Sequence, residues 1–203
     1  MAQRQQEVLD EADIRFLIGR ERYFRDTRRW KELRAAYHPD ASRTYVHISW
    51  YKGDIDGFVA GSERLDTSSV SIIHKISPAI TEFNGEKALC ESVGDITARF
   101  TASNGYEYDL ISTARFISRL EKLESKWYML SLEVIYIRDM IYPVGVSPTP
   151  DYSSIRDWPR KSYQFVAWHL KDRGVEPETD LPGEDDPASG REVLDRNHEW
   201  LIR

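Results

Sequence analysis

Hydrophobic positions in the first third of the chain recur mostly at helical spacing. Between residues 8 and 25, Ile14, Leu17, Ile18 and Phe24 return with a period near 3.6 and no proline interrupts them, so a helix is expected there. Phe16 and Tyr23 form a second apolar stripe on the opposite side, which predicts protein cover on both faces. Thr27 to Tyr37 reads as a second, short helix with Trp30, Leu33, Arg34 and Tyr37 on one side, stopped at His38-Pro39-Asp40. Residues 43–50 alternate as a strand, and Asp54 is a candidate N-cap for a third helix reaching Leu65, with Phe58 and Val59 inward.

From Ser69 onward the period changes to two. Strands are expected at 69–76, 79–83, 87–102, 106–121 and 126–139, with Asn84-Gly85 and Asn104-Gly105 as hairpin turns. Two of these strands run to roughly fifteen residues, well beyond the usual length. Long antiparallel strands must twist and bend, so helices followed by such a sheet predict an α+β fold in which a curved antiparallel sheet wraps the N-terminal helices as a half-open cone. After Pro143 the pattern loosens around Pro148, Pro150 and Pro159. Ser162 to Lys171 reads as a helix with Phe165, Val166, His169 and Leu170 on its apolar side, ended by Gly174, and Arg191 to Ile202 reads as another. Between them, the proline-rich and acidic stretch Val175 to Gly190 is expected to be extended and solvated. The chain therefore divides into a domain of residues 1–143 and an extension of residues 144–203 with two short helices. The extension's aromatics, Trp158, Tyr163, Phe165, Trp168 and Trp200, need burial, either over a cavity or against a neighbouring subunit.

At 203 residues with 40 % apolar and 12 % aromatic residues, the chain has enough material for a sizeable core. A net charge of -6 gives no electrostatic reason to expect nucleic acid. Cys90 is the only cysteine, which excludes an intrachain disulfide and a cysteine zinc cluster. Alternation groups it with Gly94, Ile96, Ala98 and Phe100 as a small buried residue. The N-terminus lacks an apolar leader core and no apolar span approaches about 20 residues, so no membrane is expected and the cytoplasm is the default address. His38, His47 and His74 have no metal-ligand spacing. No glycine-rich phosphate loop follows a strand and no Gly-x-Ser-x-Gly elbow occurs, which leaves phosphoryl transfer and serine hydrolysis without support.

The chemistry concentrates at His74. In Val70-Ser71-Ile72-Ile73-His74-Lys75-Ile76, the residues Val70, Ile72, His74 and Ile76 share one side, so an imidazole joins an aliphatic strip. A buried imidazole needs a polar partner. Asp26, at the end of the first helix, is the candidate; an ionised carboxylate would hold one ring nitrogen as a donor and leave the other free to take a proton. Asp26 has a second reading as the N-cap of the helix that follows.

Phe24-Arg25-Asp26-Thr27-Arg28-Arg29-Trp30-Lys31-Glu32-Leu33, Ser49-Trp50-Tyr51-Lys52-Gly53, Ile72-Ile73-His74-Lys75 and Lys126-Trp127-Tyr128-Met129-Leu130 through Tyr136-Ile137-Arg138-Asp139 together resemble the SnoaL-like branch of the NTF2-like superfamily. The resemblance covers residues 8–143 and includes dehydratases and a dehydrochlorinase that place Asp and His at the positions of Asp26 and His74. It implies a cone with an internal cavity and a cofactor-independent lyase, of dehydratase type, or an isomerase. The substrate would be small and largely apolar, with aromatic and polycyclic compounds among the candidates. His74 and Asp26 would be the catalytic pair. Tyr23, Tyr45, His47, Trp50 and Tyr136 are the candidate substrate contacts, though each tyrosine has packing as its alternative. Arg25 stands where scytalone dehydratase has a tyrosine. Two other readings share the fold: a non-catalytic small-molecule binder or scaffold, and the small subunit of a ring-hydroxylating dioxygenase. A homo-oligomer, dimer or trimer, is expected.

Overall fold

The computed structural model describes residues 2–66 and 70–203, so the expected strand start at Ser69 lies outside the described residues. Helices α1 (Ala2–Asp26), α2 (Trp30–Ala35) and α3 (Ile55–Leu65) precede or interleave with strands β1 (Tyr45–Ile48) and β2 (Tyr51–Gly53). Strands β3 (Val70–Asn84), β4 (Lys87–Thr101), β5 (Glu107–Leu123), β6 (Lys126–Met129) and β7 (Ser131–Pro143) follow, then helices α4 (Gln164–Asp172) and α5 (Pro187–Ile202). All the strands join one curved sheet in the order β2-β1-β7-β5-β4-β3, with β6 added on β5. The α+β cone is as expected, but the sheet is mixed rather than purely antiparallel. β1 lies parallel to β7 because α3 and the long β3–β4–β5 meander intervene before the chain returns beside it.

Three strand boundaries differ from expectation. β3 runs unbroken through Pro78, where the pairing with β4 shifts register; at the sheet edge a missing N–H leaves no ladder bond unmade. Residues 43–50 are not one strand, since the chain reverses at Ser49-Trp50 and β2 pairs back on β1. The expected 126–139 strand is interrupted at Leu130, whose N–H donates to the Arg119 carbonyl at 2.7 Å, leaving β6 on the end of β5 and β7 as a separate strand.

α1 crosses the concave face and buries Ile14 and Ile18 against it. Its first half is fastened by Asp10, whose carboxylate accepts from Lys122 Nζ at 2.6 Å and Trp127 Nε1 at 3.0 Å. The second stripe is not covered: Phe16 and Tyr23 are 61 % and 58 % exposed, with the Arg20 guanidinium over the Phe16 ring. Phe58, Phe100, Tyr108, Leu110, Phe116 and Val134 complete the concave core, and Cys90 is a buried thiol as expected. The convex face carries a second cluster in which Val193 and Leu201 of α5 pack on Leu89, Ile117 and Ile135. The aromatics Trp158, Tyr163 and Trp168 find their burial within the same chain.

The stretch Val175 to Gly190 is neither free nor fully extended. Leu181 is wholly buried, the Tyr136 N–H donates to the Pro182 carbonyl at 2.8 Å, and the Glu184 N–H donates to the Tyr136 carbonyl at 2.9 Å. Its prolines and acids follow a tertiary path over β7, and α5 begins already at Pro187, where a proline costs no helical hydrogen bond.

Gly94 allows β4 to approach β3 closely: a Cβ there would clash with the Lys75 carbonyl oxygen. Gly94→Ala is therefore expected to cost about 1–3 kcal/mol through overpacking. Urea unfolding measures it, and an unchanged midpoint would show that the two strands have room to part.

Candidate active site

A cavity of about 100 Å³ lies between α1, α3 and the concave sheet, and α4 covers it. Its wall is built by strand parity. Ile72 and His74 of β3, Ile96 and Ala98 of β4, Leu110, Ser112 and Phe116 of β5, and Val134 and Tyr136 of β7 face inward at alternate positions. Phe58 of α3 and Trp50, stacked with ring centroids 5.6 Å apart, form another side. Arg22 and Arg25 of α1 come from the helix, and Val166, His169 and Leu170 of α4 close the wall.

α1 stops at Asp26 because Arg28 takes a left-handed backbone (φ 60°), with the Thr27 hydroxyl donating to the Tyr23 carbonyl at 2.6 Å. That stop leaves the Asp26 carboxylate against β3. One oxygen accepts the backbone N–H of His74 and the other accepts its ring Nδ1–H, both at 2.6 Å. Asp26 is not a helix cap, since the residue before α2 is Arg29 and no side chain caps that helix. The carboxylate can only accept, so Nδ1 carries the proton and Nε2 keeps its lone pair. The His74 side chain is 7 % exposed. Burial lowers its basicity; the Asp26 bond opposes that, and the Arg22 and Arg25 charges reinforce it, leaving the pKa below the ordinary 6.5 and the ring neutral at neutral pH.

Of the five expected contacts, Trp50 and Tyr136 line the cavity. The Tyr136 hydroxyl accepts the Ser49 N–H at 3.1 Å, and burial pushes its pKa to about 12, so it stays protonated with its own O–H available to donate. Tyr45 and His47 do not line the cavity. The cavity side of β1 is the Val46 and Ile48 side, and Tyr45 and His47 fall on the other face, where His47 pairs with Lys52 and Glu133 in the ladder. Tyr23 does not line the cavity either and lies on the solvent side of α1. Asp26 stands behind His74 rather than in the cavity wall. Among the described residues, no group of three or more His, Cys, Asp or Glu is arranged to hold a metal ion.

Sequence reasoning passed over Arg22, Arg25, Ser112 and His169. A signal existed for the arginines: Ile14, Ile18, Arg22 and Arg25 fall at intervals of four, four and three on one helical face. His169 likewise sat on the apolar side of its predicted helix. Its Nδ1 and the Ser112 Oγ are buried without a protein partner among the described residues, and burial, followed by the Arg173 charge, lowers the His169 pKa to about 4.

β7 also fastens the cover. A bulge against β5 places Tyr136 opposite Ala114 and Asp139 opposite Ser112, so residues three apart both turn inward. Asp139 then accepts the Phe165 and Val166 N–H groups at the start of α4, each at 2.7 Å.

A sequence model described as a SnoaL-like domain matches residues 6–133. An uncharacterised protein of Emericella nidulans is 26 % identical over 186 residues, covering 87 % of this chain and 76 % of that protein. An uncharacterised protein of Aspergillus terreus is 28 % identical over 179 residues, covering 79 % of this chain; the chain spans only 65 % of that relative. Among solved structures, a candidate scytalone dehydratase from Novosphingobium aromaticivorans superposes with a TM-score of 0.55 at 18 % identity, covering 72 % of this chain and 96 % of that one. A hexachlorocyclohexane dehydrochlorinase from Novosphingobium barchaimii gives 0.52 at 19 % identity, covering 71 % and 97 %. These likenesses show a common fold.

Burial raises the Asp139 carboxyl to about 7, with the Val166 and Phe165 N–H groups pulling the other way. A folded-state value above the ordinary 3.8 means that its contribution to stability is complete below about pH 4 and is lost as pH rises through 7. Between pH 5 and pH 8 the native chain should lose roughly 2–3 kcal/mol from this group, a loss absent from Asp139→Asn. Urea titrations of both proteins at the two pH values test this, and parallel losses would contradict it.

Proposed function

The chain belongs to the SnoaL-like domain family, and from that premise we propose that it is a cofactor-independent lyase of dehydratase type, or an isomerase, acting on a small and largely apolar molecule. The observation that carries the reading is an imidazole, held through Nδ1 by Asp26, on the wall of a mostly apolar cavity. His74 Nε2 removes a proton from a carbon next to a carbonyl group. The C–H electron pair becomes the new C=C bond, the neighbouring C–O bond breaks, and the departing hydroxide takes the proton from the imidazolium to leave as water. In the isomerase variant the same proton returns to a different carbon. Asp26 fixes the ring's orientation and stabilises the imidazolium. Tyr136 and Ser112 supply hydroxyl groups on the same wall for the carbonyl oxygen or the leaving hydroxyl.

Size narrows the substrate. A cavity of about 150 Å³ holds benzene, so about 100 Å³ suits a molecule smaller than benzene, such as a chain of a few carbons, and a six-membered ring or a polycyclic compound requires α4 to move away.

The test is turnover and carbon-bound deuterium incorporation, followed by NMR over a panel of short acyclic β-hydroxy carbonyl compounds. With a compound that reacts, His74→Ala should lower the rate by about 10²- to 10⁴-fold. The native rate should be at its plateau at pH 7 and fall in acid with an apparent pKa below 6.5, because protonation of His74 removes the base. Tyr45→Phe and His47→Ala, outside the cavity, should change the rate little. Full activity in His74→Ala would overturn the mechanism, and binding without proton exchange would favour a ligand-binding role.

A further inference from the structure

Among the described residues, one cation of the cavity wall makes no side-chain hydrogen bond. Arg22 is paired: its guanidinium engages the adjacent Glu21 carboxylate, which also accepts the Tyr37 hydroxyl at 3.0 Å. Arg25, one helical turn on, is different. Its side chain is only 16 % exposed, it lines the same cavity, and it donates no side-chain hydrogen bond to any described residue. The nearest carboxylate is Asp26, 3.9 Å from Arg25 Nη1. Both Asp26 oxygens are already committed to His74, one to the ring and one to the backbone.

A guanidinium does not lose its proton in a protein, so Arg25 presents a largely buried charge whose contact with the Asp26 carboxylate is too long for a hydrogen bond, and its N–H donors stay open to a further acceptor. The fork matches a carboxylate, which it binds through two parallel hydrogen bonds. The neighbouring wall, Ile72, Ile96, Ala98 and Leu110, offers only apolar surface to the rest of such a molecule.

We propose that Arg25 is an anion subsite of this cavity and that the substrate is a small carboxylic acid, bound as its carboxylate beside His74 with its apolar body against the β3–β5 wall. The inference rests on reading the cavity as a substrate site and adds the substrate's chemical class. It also explains how binding prepares the base. The Arg22 and Arg25 charges help hold His74 below its ordinary basicity. A carboxylate on Arg25 offsets that field, so ligand binding raises the affinity of His74 for a proton.

Propionate and propionamide are the probes, being nearly equal in shape, small enough for the cavity and different in charge. Titration calorimetry on the full chain should show propionate binding at least about tenfold tighter than propionamide, consistent with one charge-assisted bidentate contact. Arg25→Gln should abolish that preference while keeping propionamide affinity, and Arg25→Lys should restore part of it. NMR titration of the unaltered protein should show the His74 pKa rising with propionate and not with propionamide, a readout that a purely structural arginine would not move. Equal binding of the two probes to the native chain, or an undiminished propionate preference in Arg25→Gln, would overturn the anion subsite while leaving the cavity reading intact. Binding of neither probe would overturn both.

Discussion

The contact between Asp26 and His74 joins the end of the longest helix to the edge strand of the sheet, and the geometry of the cavity follows from it. A carboxylate that engages a backbone N–H and the ring of the same residue fixes both the position of β3 and the orientation of the imidazole. The helix must end at that point for the carboxylate to be presented, and the left-handed turn at Arg28 ends it. Asp26 is thereby removed from any capping role and committed to His74. The cost of burying the pair is moderated because each of the two carboxylate oxygens has a donor.

The other half of the site comes from beyond the matched domain. α4 carries Val166, His169 and Leu170 into the cavity wall, and its N-terminus is held by Asp139 of β7. The bulge in β7 makes this possible by turning Tyr136 and Asp139 to the same side, one toward the cavity and one toward the cover. α5 packs on the convex face instead, so the extension grips the sheet from both sides. In an α+β cone of this kind the extension is part of the core.

Long-period signals were legible in the sequence and local parity was less so. The helical repeat of Ile14 and Ile18, the alternation around His74 and the two hairpin turns were sufficient to predict helices, long strands and a cone. The Asp26 and His74 side chains meet as anticipated because both lie within strongly periodic elements. Tyr45 and His47 were misplaced because β1 has only four residues, too few for alternation to reveal which face is buried. Pro78 reads as a strand break unless the strand is known to lie at an edge, which is a property of the assembled sheet. The segment around Leu181 looked solvated because its composition is polar, whereas its path is set by backbone bonds to Tyr136 that no composition encodes. Arg22, Arg25 and His169 were visible as polar residues on apolar helical faces, a pattern as telling on a helix as it was for His74 on a strand.

Asp26, accepting from Nδ1, leaves His74 with its proton on that nitrogen and its lone pair on Nε2. Nitrogen-15 NMR of the labelled imidazole at neutral pH measures this directly. A neutral Nδ1–H tautomer, with the Nδ1 proton shifted far downfield by a strong hydrogen bond and that shift lost in Asp26→Asn, is the predicted result. A protonated ring, or a neutral ring carrying its proton on Nε2, would contradict the account.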